Sequence, residues 1–175
     1  VPFDQAFEAE ALGCKLKSGD TEGIPGIEDQ PPYKVEDSPV FPDDFLYRGR
    51  IPELLKAVRI LKKELGDDVP IVGGIVGAFT ITASLVGITN FFKAILKSPD
   101  KIKPFLNVAE KAGSALAKAL ADAGADIIAN EDMYTSPDVI SARVYREYAQ
   151  EHQTRQFQAI HVPKILHICG KVDDI

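Results

Sequence analysis

Pro163-Lys164-Ile165-Leu166-His167-Ile168-Cys169-Gly170-Lys171 (163–171) is a short apolar run that carries an imidazole and a thiol two positions apart and breaks at a glycine. Its composition suits a β-strand, in which residues two apart share a face. His167 and Cys169 then stand side by side, with Ile168 turned the other way. On a helix the same spacing would splay them roughly 200° apart. A strand end carrying His-x-Cys is half of a transition-metal site, because zinc takes three or four protein ligands. At this level His167 has two readings, a metal ligand or a core histidine bonded to a backbone carbonyl. Cys169 alone reads first as a small buried hydrophobe.

Working outward, two more short apolar runs precede this one. Residues 125–129 (ADIIA) form a second buried strand, ending in the polar cluster Asn130-Glu131-Asp132 and the turn segment Met133 to Asp138. Residues 69–74 (VPIVGG) form a first strand that closes at Gly73-Gly74. Helical spacing fills the gaps. Leu54, Leu55, Val58, Leu61 and Leu65 recur on one helix that starts near Pro52 and ends at Gly66 in a left-handed cap. Its charged residues, in KAVRILKKELGDD, read as a solvated face with i,i+4 pairs. Residues 80–86 and 90–96 read as shorter helices. Ser98-Pro99-Asp100 is a helix-start signal for a helix running to Gly124. Gly113 inside that helix costs about 1 kcal/mol relative to Ala and therefore marks close packing. Ser141 caps a further helix with Val144, Tyr148 and Phe157 as core candidates. Strand–helix–strand–helix–strand is the order of a parallel sheet with right-handed crossovers. Ligands bind at the C-terminal ends of such strands. The first strand lacks a G-x-G-x-x-G register, which favours a (β/α)8 barrel over a dinucleotide fold.

Before Gly49 the chain is different. Residues 1–13 suit a short helix with Phe3, Phe7 and Ala11 on one face and Gly13 as its stop. Residues 14–48 are proline-rich loop with at most short strands near Lys15-Leu16. A loop this long is functional or wraps over its neighbours.

The 175 residues are 45% hydrophobic and 26% charged, with net charge -6, which fits one soluble globular domain. That acidity argues against nucleic acid or an anionic membrane as partner, since both need clustered cations. No apolar run reaches the roughly 20 residues of a membrane span, and the N-terminus does not read as a signal peptide. Two cysteines, Cys14 and Cys169, fit reduced cytoplasmic thiols. The apolar start without Met and the stop soon after Gly170 suggest a piece of a longer chain.

The segments VPIVGGIVGAFT, GADIIANEDMYTSPDVIS and ILHICG, with Glu8-Ala9-Glu10-Ala11-Leu12-Gly13 near the start, together resemble the uroporphyrinogen decarboxylase superfamily. The corrinoid-dependent zinc methyltransferases of that superfamily are the most similar branch. The resemblance spans nearly all of residues 1–175, and its specific part is His-x-Cys-Gly following Ser136-Pro137-Asp138. It implies a single-domain (β/α)8 TIM barrel of which residues 1–175 hold the central part. It also implies transfer of a methyl group from a methylated corrinoid protein (methylcobamide) to a thiol acceptor such as coenzyme M. Zn2+ would be held by His167, Cys169 and a further Cys past Ile175. Glu131 and Asp132 are rivals for the pocket carboxylate, with Asp132 favoured. Glu10, Gly74 and Asn130 are candidates for substrate or cofactor binding.

The chain departs from the family pattern at Val76 and Ala78, where an acid and a proline are common. It departs again at residues 130–134, which replace a shorter Asp-Pro run. Blander readings stand beside these. Glu131 and Asp132 can merely cap the next turn, Met133 and Tyr134 can be packing, Glu10 can be a solvated helix residue, and Cys14 is a buried hydrophobe before it is a third ligand. Alternative functions are a metal-free tetrapyrrole decarboxylase, which needs basic residues in the pocket, or a truncated barrel without activity. An open half-barrel leaves sheet edges exposed, so an oligomer that covers them is a further expectation.

Overall fold

The computed structural model describes residues 5–17, 24–66, 68–173 and 175. Its centre is a three-stranded parallel sheet of β1 (Val72–Val76), β2 (Ile127–Glu131) and β3 (Lys164–His167), in that spatial order. The parallel order expected from the alternation of runs is therefore present. The strands start later than their apolar runs. Pro70 has no N–H to give, and the Ile71 carbonyl accepts from the amides of both Asp126 and Ile127. The Asp126 side chain in turn accepts from the Ile71 amide at 2.9 Å and from Lys62 at 3.0 Å. These bonds close the strand entrance, and regular pairing begins after them, at Val72 and Ile127. Gly73 and Gly74 are consequently mid-strand and not the end of β1.

Between β1 and β2 lie α3 (Ala78–Val86), α4 (Ile88–Lys97) and the long α5 (Lys103–Ala123). Between β2 and β3 lie α6 (Ala142–Tyr148) and α7 (Gln150–Gln158), two helices where one was expected. Ser141 caps α6 as expected, accepting from the Val144 amide. Tyr148 is buried, but Val144 and Phe157 are only partly so. Ser98 does not cap a helix through its side chain. It precedes a single 3-10 turn, Pro99–Lys101, and α5 begins afterwards with Pro104 in its first turn. Pro104 removes an amide that would be unpaired there in any case.

α5 is the backbone of the core. Phe105, Leu106, Ala109, Ala112, Leu116, Ala117 and Leu120 are at most 1% exposed, and each large side chain among them contributes about 1.5–3 kcal/mol on burial. At Gly113, α5 packs close against its neighbours. A Cβ there would lie 2.0 Å from Gln156 Nε2 and 3.3 Å from the Val76 carbonyl. Gly124 ends α5 in the left-handed region, at φ 112°. Gly66 ends α2 (Ile51–Leu65) with positive φ, but its ψ of -129° is not that of a left-handed helical cap.

Side-chain alternation divides the sheet into two faces. Gly73, Ile75, Ile128 and Asn130 turn to the helices and are buried. Val72, Gly74, Ile127, Ala129, Glu131 and Ile165 turn to the opposite, open face. On β3 both faces are partly uncovered, with Ile165 48% and Leu166 38% exposed.

The helix expected over residues 1–13 is present as α1 (Phe7–Ala11), whereas Phe3 lies outside the described residues. The proline-rich stretch wraps over the chain's own helices. Leu16 and Ile27 form an isolated antiparallel bridge, the Tyr33 amide donates to the Leu85 carbonyl, and the Tyr33 ring meets Phe105 edge-on.

Candidate active site at the strand ends

His167 is the last residue of β3, and Cys169 lies in the bend after it. Both are exposed, and Cys169 Sγ lies 3.7 Å from His167 Nε2. Two elements hold the pair in place. The Asp132 amide donates to the His167 carbonyl at 3.1 Å, which extends the β2–β3 ladder past the strand. Gly170 then turns away at φ 90°, against the turn that follows β2. A Cβ on Gly170 would lie 2.6 Å from Asp138 Oδ2 and 3.0 Å from Ser136 Oγ. The two distant motifs, Ser-Pro-Asp and His-x-Cys-Gly, are thus one contact in space, and the glycine is required by both its φ and its neighbour.

The pair fits a soft divalent ion. Zinc bonds of about 2.3 Å to sulfur and about 2.0–2.1 Å to nitrogen, at a tetrahedral angle, put the two donors about 3.6 Å apart. Imidazole with thiolate is also the donor chemistry zinc takes. Among the described residues no group of three or more His, Cys, Asp or Glu side chains is placed to hold a metal ion. Cys14 does not contribute. It is buried, its thiol meets the Ser84 carbonyl at 3.6 Å, and burial pushes its pKa up to about 12.

The two rival carboxylates have different surroundings. Asp132 is 0% exposed. Its Oδ1 accepts from the Thr80 amide at 3.0 Å and from the Thr80 hydroxyl at 2.6 Å, and its Oδ2 from Gln153 Nε2 at 3.0 Å. The carboxylate therefore sits at the N-terminus of α3, where the unpaired amides of a first helical turn favour an anion. Gly77 makes the approach possible, since a Cβ there would fall 2.1 Å from the Asp132 carboxylate. Burial pushes the Asp132 pKa above the usual carboxylate range, while the bonds from Thr80 and Gln153 pull it partway back. Glu131, one residue earlier, is half-buried on the open face and accepts from Gln5 Nε2 at 2.6 Å. Its register partner on β3 is His167.

The other expected site residues are spread out. Asn130 turns to the helices, and its Nδ2 donates to Gln156 Oε1 at 2.9 Å. Gly74 lies on the open face with nothing within 4 Å of where its Cβ would be. Glu10 pairs with Arg50 at 2.8 Å, while Arg50 also lies over the Phe7 ring. The acid of this motif that reaches the sheet is Glu8. It is 1% exposed and accepts from the Val76 amide at 2.8 Å. Alternation within E-A-E-A on a helix places only one of its acids inward, and that is the signal for Glu8. Thr80 and Gln153 carry a weaker one, polar residues on otherwise buried helix faces. A cavity of about 530 Å³ adjoins the rim, lined by Gln5, Ile24, Ile27, Thr80, Met133 and Tyr134 among others, none of them charged.

The C-terminal rim of a parallel α/β layer is where such folds bind ligands, and here that rim carries the imidazole–thiol pair. The uroporphyrinogen decarboxylase (URO-D) family profile matches residues 1–175, and the chain belongs to that family. It is 34% identical over 175 residues to the methylcobamide:CoM methyltransferase MtaA of Methanosarcina barkeri, covering 100% of this chain and 52% of that protein. It is 33% identical over 173 residues to the methylcobamide:CoM methyltransferase MtbA of Methanosarcina mazei, covering 97% and 51%. A solved methyltransferase from Methanosarcina mazei superposes with a TM-score of 0.94 at 34% identity, over 100% of this chain and 52% of that one. The chain thus spans about half the length of the relatives it matches.

Proposed function

We propose that residues 1–175 form a single domain, the central part of a (β/α)8 barrel, and carry part of the active site of a zinc-dependent methyltransferase. The reaction moves a methyl group from a methylated corrinoid, presented by a partner protein, to an acceptor thiol of the coenzyme M kind. The observation that carries this reading is the exposed His167–Cys169 pair, 3.7 Å apart on the strand-end rim. The relatives' printed names supply the methyl donor and acceptor classes.

His167 and Cys169 would hold the ion, and a ligand from outside these residues would complete the set. When bound, zinc supplies the charge that keeps a coordinating thiol deprotonated near neutral pH. The chain's own residues prepare the rim. Asp132 ties the end of β2 to α3 and α7, and its amide fixes the His167 carbonyl. Gln5 holds Glu131 in place beside His167. Gly170 fits under Asp138, which sets the direction of Cys169. No single helix among the described residues is long and apolar enough to cross a membrane, and the cytoplasm, with its reduced thiols, is the compartment we assign.

Metal analysis of the full chain tests the proposal. One zinc per chain is expected, falling below a tenth of that in His167→Ala and in Cys169→Ala. A full chain that binds no zinc would overturn it.

A further inference from the structure

Helices α6 and α7 share a buried polar pair. Tyr145 of α6 and Gln153 of α7 are 6% and 3% exposed. The Tyr145 hydroxyl donates to Gln153 Oε1 at 2.7 Å, and Gln153 Nε2 donates to Asp132 Oδ2 at 3.0 Å. An amide has one accepting end and one donating end. The phenol takes the accepting end, so the donating end faces the carboxylate. Thr80 anchors Asp132 through two donors on the single oxygen Oδ1. A carboxylate held at one oxygen can still turn about its Cβ–Cγ bond, and the Gln153 bond to the second oxygen stops that turn. The Asp132 amide donates in its turn to the His167 carbonyl at 3.1 Å. Hydrogen bonds thus lead from α6 through α7 and Asp132 to the backbone of His167. Packing alone does not call for the Tyr145–Gln153 bond, since apolar partners of the same shape can replace a buried bonded pair at nearly no cost. What the pair adds is direction.

We infer that Gln153 and Tyr145 are positioning residues for the metal pair: the Gln153 amide, oriented by the Tyr145 hydroxyl, locks Asp132, and Asp132 holds the His167 carbonyl so that the imidazole and the Cys169 thiol keep their 3.7 Å separation. The inference rests on the zinc reading of that pair. Its physical basis is the narrow geometry a metal accepts. Groups that orient a ligand without touching the ion change metal affinity by about 10–100-fold when removed. Gln153 acts through the backbone of the ligand, one residue further back, which sets the expected effect at the low end of that range.

Two substitutions in the full chain test it. Gln153→Leu keeps the volume and removes the donor to Asp132 Oδ2. Tyr145→Phe keeps Gln153 and removes only the hydroxyl that orients it. Zinc affinity is read by competition with a chelating dye. Geometry is read separately from the visible spectrum of Co2+ bound in place of zinc, whose bands follow the arrangement of the ligands. Gln153→Leu is expected to lower zinc affinity about tenfold and to change the cobalt spectrum. Tyr145→Phe is expected to move both in the same direction by less, and it serves alone should Gln153→Leu not fold. Wild-type affinity and an unchanged cobalt spectrum in the folded variants, whatever happens to their stability in denaturant, overturn the inference and leave the zinc reading standing. A wild-type full chain that binds neither metal overturns the zinc reading and the inference with it.

Discussion

The ends of β2 and β3 lie side by side in one sheet and handle polar side chains in opposite ways. At the end of β2, Asp132 is sealed in and accepts three hydrogen bonds from within the chain. At the end of β3, His167 and Cys169 are exposed, and their one mutual contact is at 3.7 Å. A buried carboxylate without partners would be far costlier than one with three, so the first arrangement belongs to stability. Two potential ligands left open at a strand end add little to stability, which is the pattern of a site that binds something else.

The sharpest way to break this contrast is Asp132→Ala. It leaves the Thr80 amide, the Thr80 hydroxyl and Gln153 without their acceptor, and it is expected to cost about 3–5 kcal/mol in chemical denaturation. A loss below 1 kcal/mol would remove Asp132 from the framework. Gly77→Ala should act on the same cage from the other side. Its Cβ would fall 2.1 Å from the carboxylate, and a destabilisation of about 2–3 kcal/mol is expected.

The pH dependence of the cage has a definite sign. The Asp132 pKa is raised in the folded state, chiefly by burial, above an unfolded value near 3.9. The folded state therefore binds this proton more tightly. The contribution is fully present below about pH 3.9 and is lost as pH rises through the folded value. Measured against Asp132→Asn, which lacks the group, wild-type stability should decline from about pH 4 upward. A difference that grows with pH would contradict the burial that sets the sign.

His167→Ala and Cys169→Ala mark the small end of the scale. Each is exposed, and each should change metal-free stability by less than about 0.5 kcal/mol. The two thiols sharpen the point without any mutation. Cys169 should react with a thiol reagent in the native state, whereas Cys14, pushed up to about 12 and buried, should react only on unfolding. Equal native reactivity would show that the wall around Cys14 is open.

Much of this was legible in the chain. Short apolar runs separated by helical periodicity read correctly as a parallel sheet, and the His-x-Cys spacing correctly put both donors on one side. What was not legible came from bonds between distant residues. The expected β1 and β2 began two or three residues early because apolar character marks a run, while Asp126 and Ile71 decide where pairing starts. That shift placed Asn130 and Glu131 inside a strand, where alternation sends them to opposite faces. Asn130 turned to the helices and Glu131 to the rim, a distinction that neighbours in a loop would not show. Which acid of E-A-E-A faces inward was not legible for a related reason, since it depends on where the sheet lies.

One consequence follows from the register of β3 on β2. The bonds that hold this register include Ile128 N–H to the Pro163 carbonyl and Asp132 N–H to the His167 carbonyl. A slip of one residue would turn His167 and Cys169 inward together and bring Ile168 out. Metal uptake is therefore a gauge of strand alignment. A substitution far from both ligands that shifted β3 by a single step would silence the site while leaving both ligands in the chain.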